Sequence, residues 1–151
     1  MEIKKTIFQF IFCFAPLLMY SQIDMYQTAI YENGADTLRY RIMYPKDFSE
    51  TKKFPVVLFL HGAGERGNDN KKQLVHGSSL FADDMVREKF PAIVIFPQCP
   101  QEDYWSSVAI DRNKQPLELK FQYGKGPTKA LELTMALMDS IAAEPYVKKD
   151  Q

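Results

Sequence analysis

Five apolar residues in a row, Val56-Val57-Leu58-Phe59-Leu60, follow Pro55 and run into His61-Gly62-Ala63-Gly64-Glu65-Arg66-Gly67. A short continuous apolar run between a proline and a glycine-rich turn reads as a strand buried on both faces. Such a strand requires a layer of structure above it and another below. The glycines add a second constraint. A turn with so little side-chain bulk lets backbone N–H groups face a ligand directly.

A second apolar run, Ala92-Ile93-Val94-Ile95-Phe96, lies between Pro91 and Pro97. The sequence between the two runs predicts one helix over residues 78–89, with Phe81 and Met85 at i,i+4 spacing. Two buried strands separated by a helix make a βαβ unit with parallel strands and an expected right-handed crossover. Upstream, residues 25–31 and 37–44 are rich in β-formers. Asn33-Gly34 supplies turn chemistry, in a loop a little longer than two residues. In the second of these segments Leu38, Tyr40, Ile42 and Tyr44 alternate with Arg39, Arg41 and Met43, so one face is expected to be buried.

Residues 97–126 read as a long loop, the kind that carries function more often than mere connection. A helix is expected from Pro127 or Thr128 to about residue 144, with Pro127 suited to a first helical position. Its apolar stripe is read as Leu131, Met135, Met138 and Ala142, widened by Thr134 and Ile141, and the methionines as core packing.

The ten-residue string from His61 to Asn70, His-Gly-Ala-Gly-Glu-Arg-Gly-Asn-Asp-Asn, resembles the secreted carboxylesterase and phospholipase-like branch of the α/β-hydrolases, which includes predicted peptidases. The resemblance spans residues 37–151 and implies the N-terminal part of an α/β-hydrolase sheet: an antiparallel hairpin, then parallel βαβ strands. It implies that Ala63 or Gly64 donates a backbone N–H to an oxyanion, with Gly62 giving the backbone room. His61 is then a residue that holds the loop through ring hydrogen bonds. The general base of that superfamily lies far downstream of the nucleophile. His76 is read as structural in the same way. Glu65 and Arg66, with Asp69 and Asn70, either fix the loop or form a solvated charge run. Tyr104 and Trp105 either line an acyl or leaving-group pocket or pack on the glycine loop. The bland alternative for the whole stretch is a tight strand-to-loop turn with no ligand.

No catalytic residue is assigned in this chain. None of Ser21, Ser49, Ser78, Ser79, Ser106, Ser107 and Ser140 stands in Gly-x-Ser-x-Gly. There is no His-Glu-x-x-His, Cys-x-x-Cys or phosphate loop, so no metal or cofactor is expected. The expected function is therefore that of a fragment of a serine carboxylic-ester hydrolase. It carries the oxyanion loop without the triad, and a small-molecule ester is the substrate of the complete domain. The alternative is a non-catalytic secreted remnant or a binding module using residues 104–123. A further alternative has a separate chain completing the sheet.

Lys+Arg and Asp+Glu both number 19, which gives no electrostatic case for nucleic acid. Residues 1–22 read as a secretory signal peptide, with Lys4 and Lys5 before an apolar run and cleavage near Ser21 or Gln22. This implies export to the periplasm or the extracellular space, with residues 23–151 as the hydrolase portion. An uncleaved anchor is the alternative. Cys13 falls in that leader, and Cys99 is read as a packed small residue rather than a nucleophile. Without the neighbouring strand that the resemblance implies, one edge of the residue 56–60 strand lacks a partner. The isolated chain is expected to be unstable or to associate through that edge.

Overall fold

The first two strands form where β-branched and aromatic residues alternate with polar ones. In this computed structural model, which describes residues 22–149, they are β1 (Gln27–Asn33) and β2 (Asp36–Met43). They pair antiparallel with Asn33 opposite Asp36, so the loop is two residues, Gly34-Ala35, shorter than the sequence suggests. Gly34 takes φ +63°, as a tight hairpin turn requires. Of the expected signal peptide, residues 1–22, residues 1–21 lie outside the described residues. Among the described residues, no helix is long and apolar enough to cross a membrane.

The two apolar runs become β3 (Val56–Leu58) and β4 (Ile93–Pro97). They pair parallel, while β4 also pairs antiparallel with β2, giving the order β1-β2-β4-β3. The fully buried strand is β4 and not β3. Every residue of β4 is buried, whereas Val56, Val57 and Leu58 are half-buried and Leu60 is exposed. The reason is position, since β4 has strands on both sides and β3 lies at the margin of the sheet. Beyond β3 the outer edge makes one pairing, a parallel bridge between Phe54 and Val147. In it the Phe54 N–H donates to Tyr146 O (2.8 Å) and the Lys148 N–H to Phe54 O (2.9 Å).

Helices cover both faces. The predicted single helix over 78–89 is two, α1 (Ser78–Ala82) and α2 (Asp84–Lys89). Asp83 breaks it. Its backbone is extended and its carboxylate accepts from the Met85 and Val86 N–H groups at 2.9 and 3.1 Å, an N-cap in the middle of an apparent helix. On this face Tyr26, Met43, Leu74, Ala82, Val94 and Phe96 form a buried cluster. The Tyr26 hydroxyl donates to Ser78 O at 2.7 Å.

The opposite face is covered by α3 (Lys129–Ala142), capped by Thr128, whose hydroxyl accepts from the Leu131 N–H. Leu38, Ile42, Ile93, Ile95, Leu133 and Leu137 pack together there, each contributing about 1.5–3 kcal/mol of burial. The stripe read from the sequence holds in part, since Thr134 is buried and Met138 and Ile141 pack against this cluster. Ala130, Leu133, Thr134 and Leu137 face the sheet, while Met135 is 56% exposed. Within the predicted long loop lies a second, two-stranded sheet, β5 (Val108–Asp111) and β6 (Glu118–Phe121), paired antiparallel.

Gly77 precedes α1 at φ +80°, and a Cβ there would stand 2.7–2.8 Å from two ring carbons of Phe59. The Phe59 ring is itself wedged 4.8 Å from that of Phe96. Left-handed backbone costs a non-glycine residue about 1–2 kcal/mol, and overpacking about 1–3 kcal/mol more. Gly77→Ala is therefore expected to lower stability by about 2–5 kcal/mol, read as a drop in urea midpoint at unchanged slope. An unchanged midpoint would contradict this packing.

Candidate functional site

The carboxyl ends of the parallel strands β3 and β4 point to one end of the sheet, where ligands of open α/β sheets collect. The glycine loop starts there, and His61 fixes it. The residue is 4% exposed. Its Nε2 lies 3.0 Å from the backbone N of Cys99, just past β4. A backbone N–H can only donate, so Nε2 accepts and the proton sits on Nδ1. Nδ1–H then donates to Gly62 O at 2.7 Å. The Trp105 indole N–H donates to His61 O at 2.9 Å, and the two rings meet at 5.1 Å. Burial, above all, holds the imidazole pKa below its ordinary 6.5.

Residues Ala63–Glu65 form a single tight turn in which the Glu65 N–H donates to Gly62 O at 3.3 Å. Ala63 and Gly64 are exposed, and among the described residues neither of their N–H groups donates a hydrogen bond. Arg66 braces this turn. Its Nε–H donates to Ala63 O (2.9 Å), and one terminal nitrogen to Gln101 O (2.9 Å) and Asp103 O (3.0 Å). The guanidinium carbon lies 3.7 Å from the centroid of the Tyr104 ring. Glu65 turns its carboxylate back over Gly62 and meets exposed His76 at 3.5 Å.

The loop's far end is pinned by polar groups. Buried Asn70, at φ +52°, donates from Nδ2 to Tyr40 O (3.2 Å) and Ala29 O (3.3 Å). Its N–H donates to Gln98 Oε1 at 2.6 Å, and its carbonyl accepts from Arg41 Nε at 2.6 Å. The Asp69 carboxylate accepts from the Lys72 and Lys71 N–H groups and from Gln98 Nε2, which bring its pKa down to about 2. Gln98 carried no sequence signal, being one polar residue after an apolar strand. Cys99 is fully buried, and burial pushes its thiol up to about 12, which leaves no reactive thiolate.

Beside the turn opens a cleft of about 430 Å³. Ala63 and Gly64 line one side, and Tyr104 and Arg66 border it. The opposite wall is the β5–β6 hairpin. Val108 pairs with Phe121 and Ile110 with Leu119, and all four line the cleft. Residues of the alternate register, Asp111, Glu118 and Lys120, line a separate polar hollow. Of the two aromatics singled out in the sequence, Tyr104 lines the cleft and Trp105 packs on His61. The hairpin wall was missed, although the alternation of Leu117, Leu119 and Phe121 carried a period-two signal.

The chain is similar in structure to a thermostable esterase. The superposition has a TM-score of 0.71 at 28% sequence identity and covers 86% of this chain. It covers 33% of the esterase, so this chain spans about a third of that protein's length. No protein-family model matches the chain, and no curated protein matches it significantly. The mixed sheet with helices on both faces is thus an esterase-like fold over the part compared.

Replacing His61 by Leu leaves the buried Cys99 N–H without its acceptor and is expected to cost about 1–3 kcal/mol near neutral pH. The folded ring binds a proton less readily than the unfolded one. Its contribution is therefore complete above 6.5 and is lost as pH falls through the lower folded value. Urea unfolding is expected to show the gap between the two proteins narrowing on acidification. A gap that stays constant or widens would contradict a neutral buried ring.

Proposed function

We propose that this chain forms the oxyanion-loop part of an exported serine carboxylic-ester hydrolase of the carboxylesterase and phospholipase-like group. One observation carries the reading. The Ala63 and Gly64 N–H groups stand without acceptors at the carboxyl end of a parallel strand pair, in a turn held from both sides by His61 and Arg66. Attack on an ester carbonyl places negative charge on its oxygen. A fixed N–H at that point is worth about 10²–10³ in rate. Likeness to an esterase at 28% identity supports ester hydrolysis as the chemistry.

The nucleophile, acid and base of this reaction are not assigned to any described residue. His61 spends both ring nitrogens on backbone groups, so acting as a base would require breaking one of those bonds. The Ser107 hydroxyl donates to Gly126 O and that of Ser78 to Leu74 O, so each is committed to a backbone carbonyl. In the proposed complete site the serine comes from a strand added beside β3, where the Phe54–Val147 bridge already starts a parallel pairing. The same edge is the proposed surface for self-association. A second reading, a non-catalytic binding module, draws on the exposed Leu117, Leu119, Phe121 and Tyr123 of the hairpin region.

Two measurements test the proposal. The purified 151-residue chain is expected to show no turnover of a short-chain aryl ester. Turnover that survives repurification would overturn the missing triad. The coding sequence beyond codon 151 is expected to continue into an apolar strand and Gly-x-Ser-x-Gly. A stop codon with no such continuation in any frame would favour the binding module.

A further inference from the structure

The cleft beside the glycine loop is apolar on one wall and cationic at its border. Val108, Ile110, Leu119 and Phe121 present a continuous apolar face because alternate residues of a hairpin point the same way. Two arginines, Arg66 and Arg112, also line the cleft, and no carboxylate does. Tyr104 connects them. Arg66 lies over its ring, and Arg112 donates to its hydroxyl at 3.1 Å. Among the described residues, neither guanidinium lies within ion-pair distance of an Asp or Glu, although five lysine–carboxylate pairs occur on this surface. Arg66 commits Nε and one terminal nitrogen to three carbonyls and lies against the Tyr104 ring. Arg112 makes one neutral bond and is exposed, so its charge is the one available to a ligand.

We propose that this cleft binds an amphiphilic anion, an apolar aliphatic or aryl body that ends in a carboxylate, with the body against the hairpin and the carboxylate at Arg112. As an account of substrate, this rests on the esterase reading: the preferred esters would carry a free carboxylate on the group that lies along the hairpin. As an account of binding, it stands on charge complementarity and shape. An apolar wall alone would take neutral molecules equally well. A guanidinium fork adds selection because it meets a carboxylate with two parallel hydrogen bonds.

Equilibrium dialysis of the full chain against 3-phenylpropionate and its neutral isostere 3-phenylpropanamide tests the inference without any turnover. The acid is expected to bind about tenfold more tightly than the amide, the size of one charge-assisted hydrogen bond. Arg112→Gln is expected to bring the acid down to the amide's affinity and leave the amide unchanged. Leu119→Ser is expected to weaken both. Equal affinities of acid and amide for the unaltered chain would overturn the inference, and that comparison needs no variant to fold. Acid preference that survives in Arg112→Gln would overturn it as well. Failure of the dialysis test leaves the search for a downstream nucleophile motif untouched, and failure of that search leaves the dialysis result standing. The two readings therefore fail separately.

Discussion

The geometry of this end of the molecule depends on one imidazole ring. His61 follows β3 by three residues, and its ring reaches across to the backbone just after β4 and to the carbonyl of the next residue, Gly62. One side chain thus ties together the ends of two parallel strands and the first residue of the glycine loop. The bond from the Cys99 N–H is buried, where an unmatched polar group costs most. The ring has to be neutral to make that bond, since an imidazolium has no lone pair to accept the Cys99 N–H. Burial provides that condition by holding the pKa down.

From this point the network spreads in two directions. Through Trp105 and Arg66 it reaches residues 101–104, and from there the first turn of α3. The Asp103 carboxylate accepts from the Ala130 N–H at 2.8 Å, and the Thr128 hydroxyl donates to Tyr104 O at 2.6 Å. Through Asn70 and Gln98 it reaches β1 and β2. The glycine loop is short of side chains of its own, but it is held from three sides. That arrangement suits preorganised backbone donors, which act only if they are in place before charge develops.

Much of the sheet was legible because its signals are local. Period-two alternation marks β2, and the two apolar runs mark β3 and β4 whatever surrounds them. Which run is central was not legible, since burial is set by the number of neighbouring strands. The face of α3 was legible only in part, for a similar reason. Thr134, Met138 and Ile141 do meet the core, but Leu131 and Met135 made as good a continuation of that stripe as Leu133 and Leu137, and docking on the sheet chose the second. The break at Asp83 was readable in principle, as an Asp followed by a charged first turn, but the apolar spacing of Phe81 and Met85 hid it. The β5–β6 hairpin was obscured by the prolines and glycines around it, and with it the apolar wall of the cleft. Loop residues His61 and Arg66 were visible from the sequence string. Their partners Cys99, Gln101 and Asp103 were not, because they are distant in sequence and ordinary in type.

The most direct test of this account is the protonation state of His61, read by NMR of ¹⁵N-labelled histidine. The chain has two histidines, and exposed His76 serves as the internal reference. A neutral His61 ring is expected, with the proton on Nδ1 and an unprotonated Nε2, persisting below 6.5. A His61 ring protonated on Nε2, or one whose pKa is not below 6.5, would show that the ring does not bridge the two strand ends. The proposed oxyanion loop would then have lost the support on which its geometry rests.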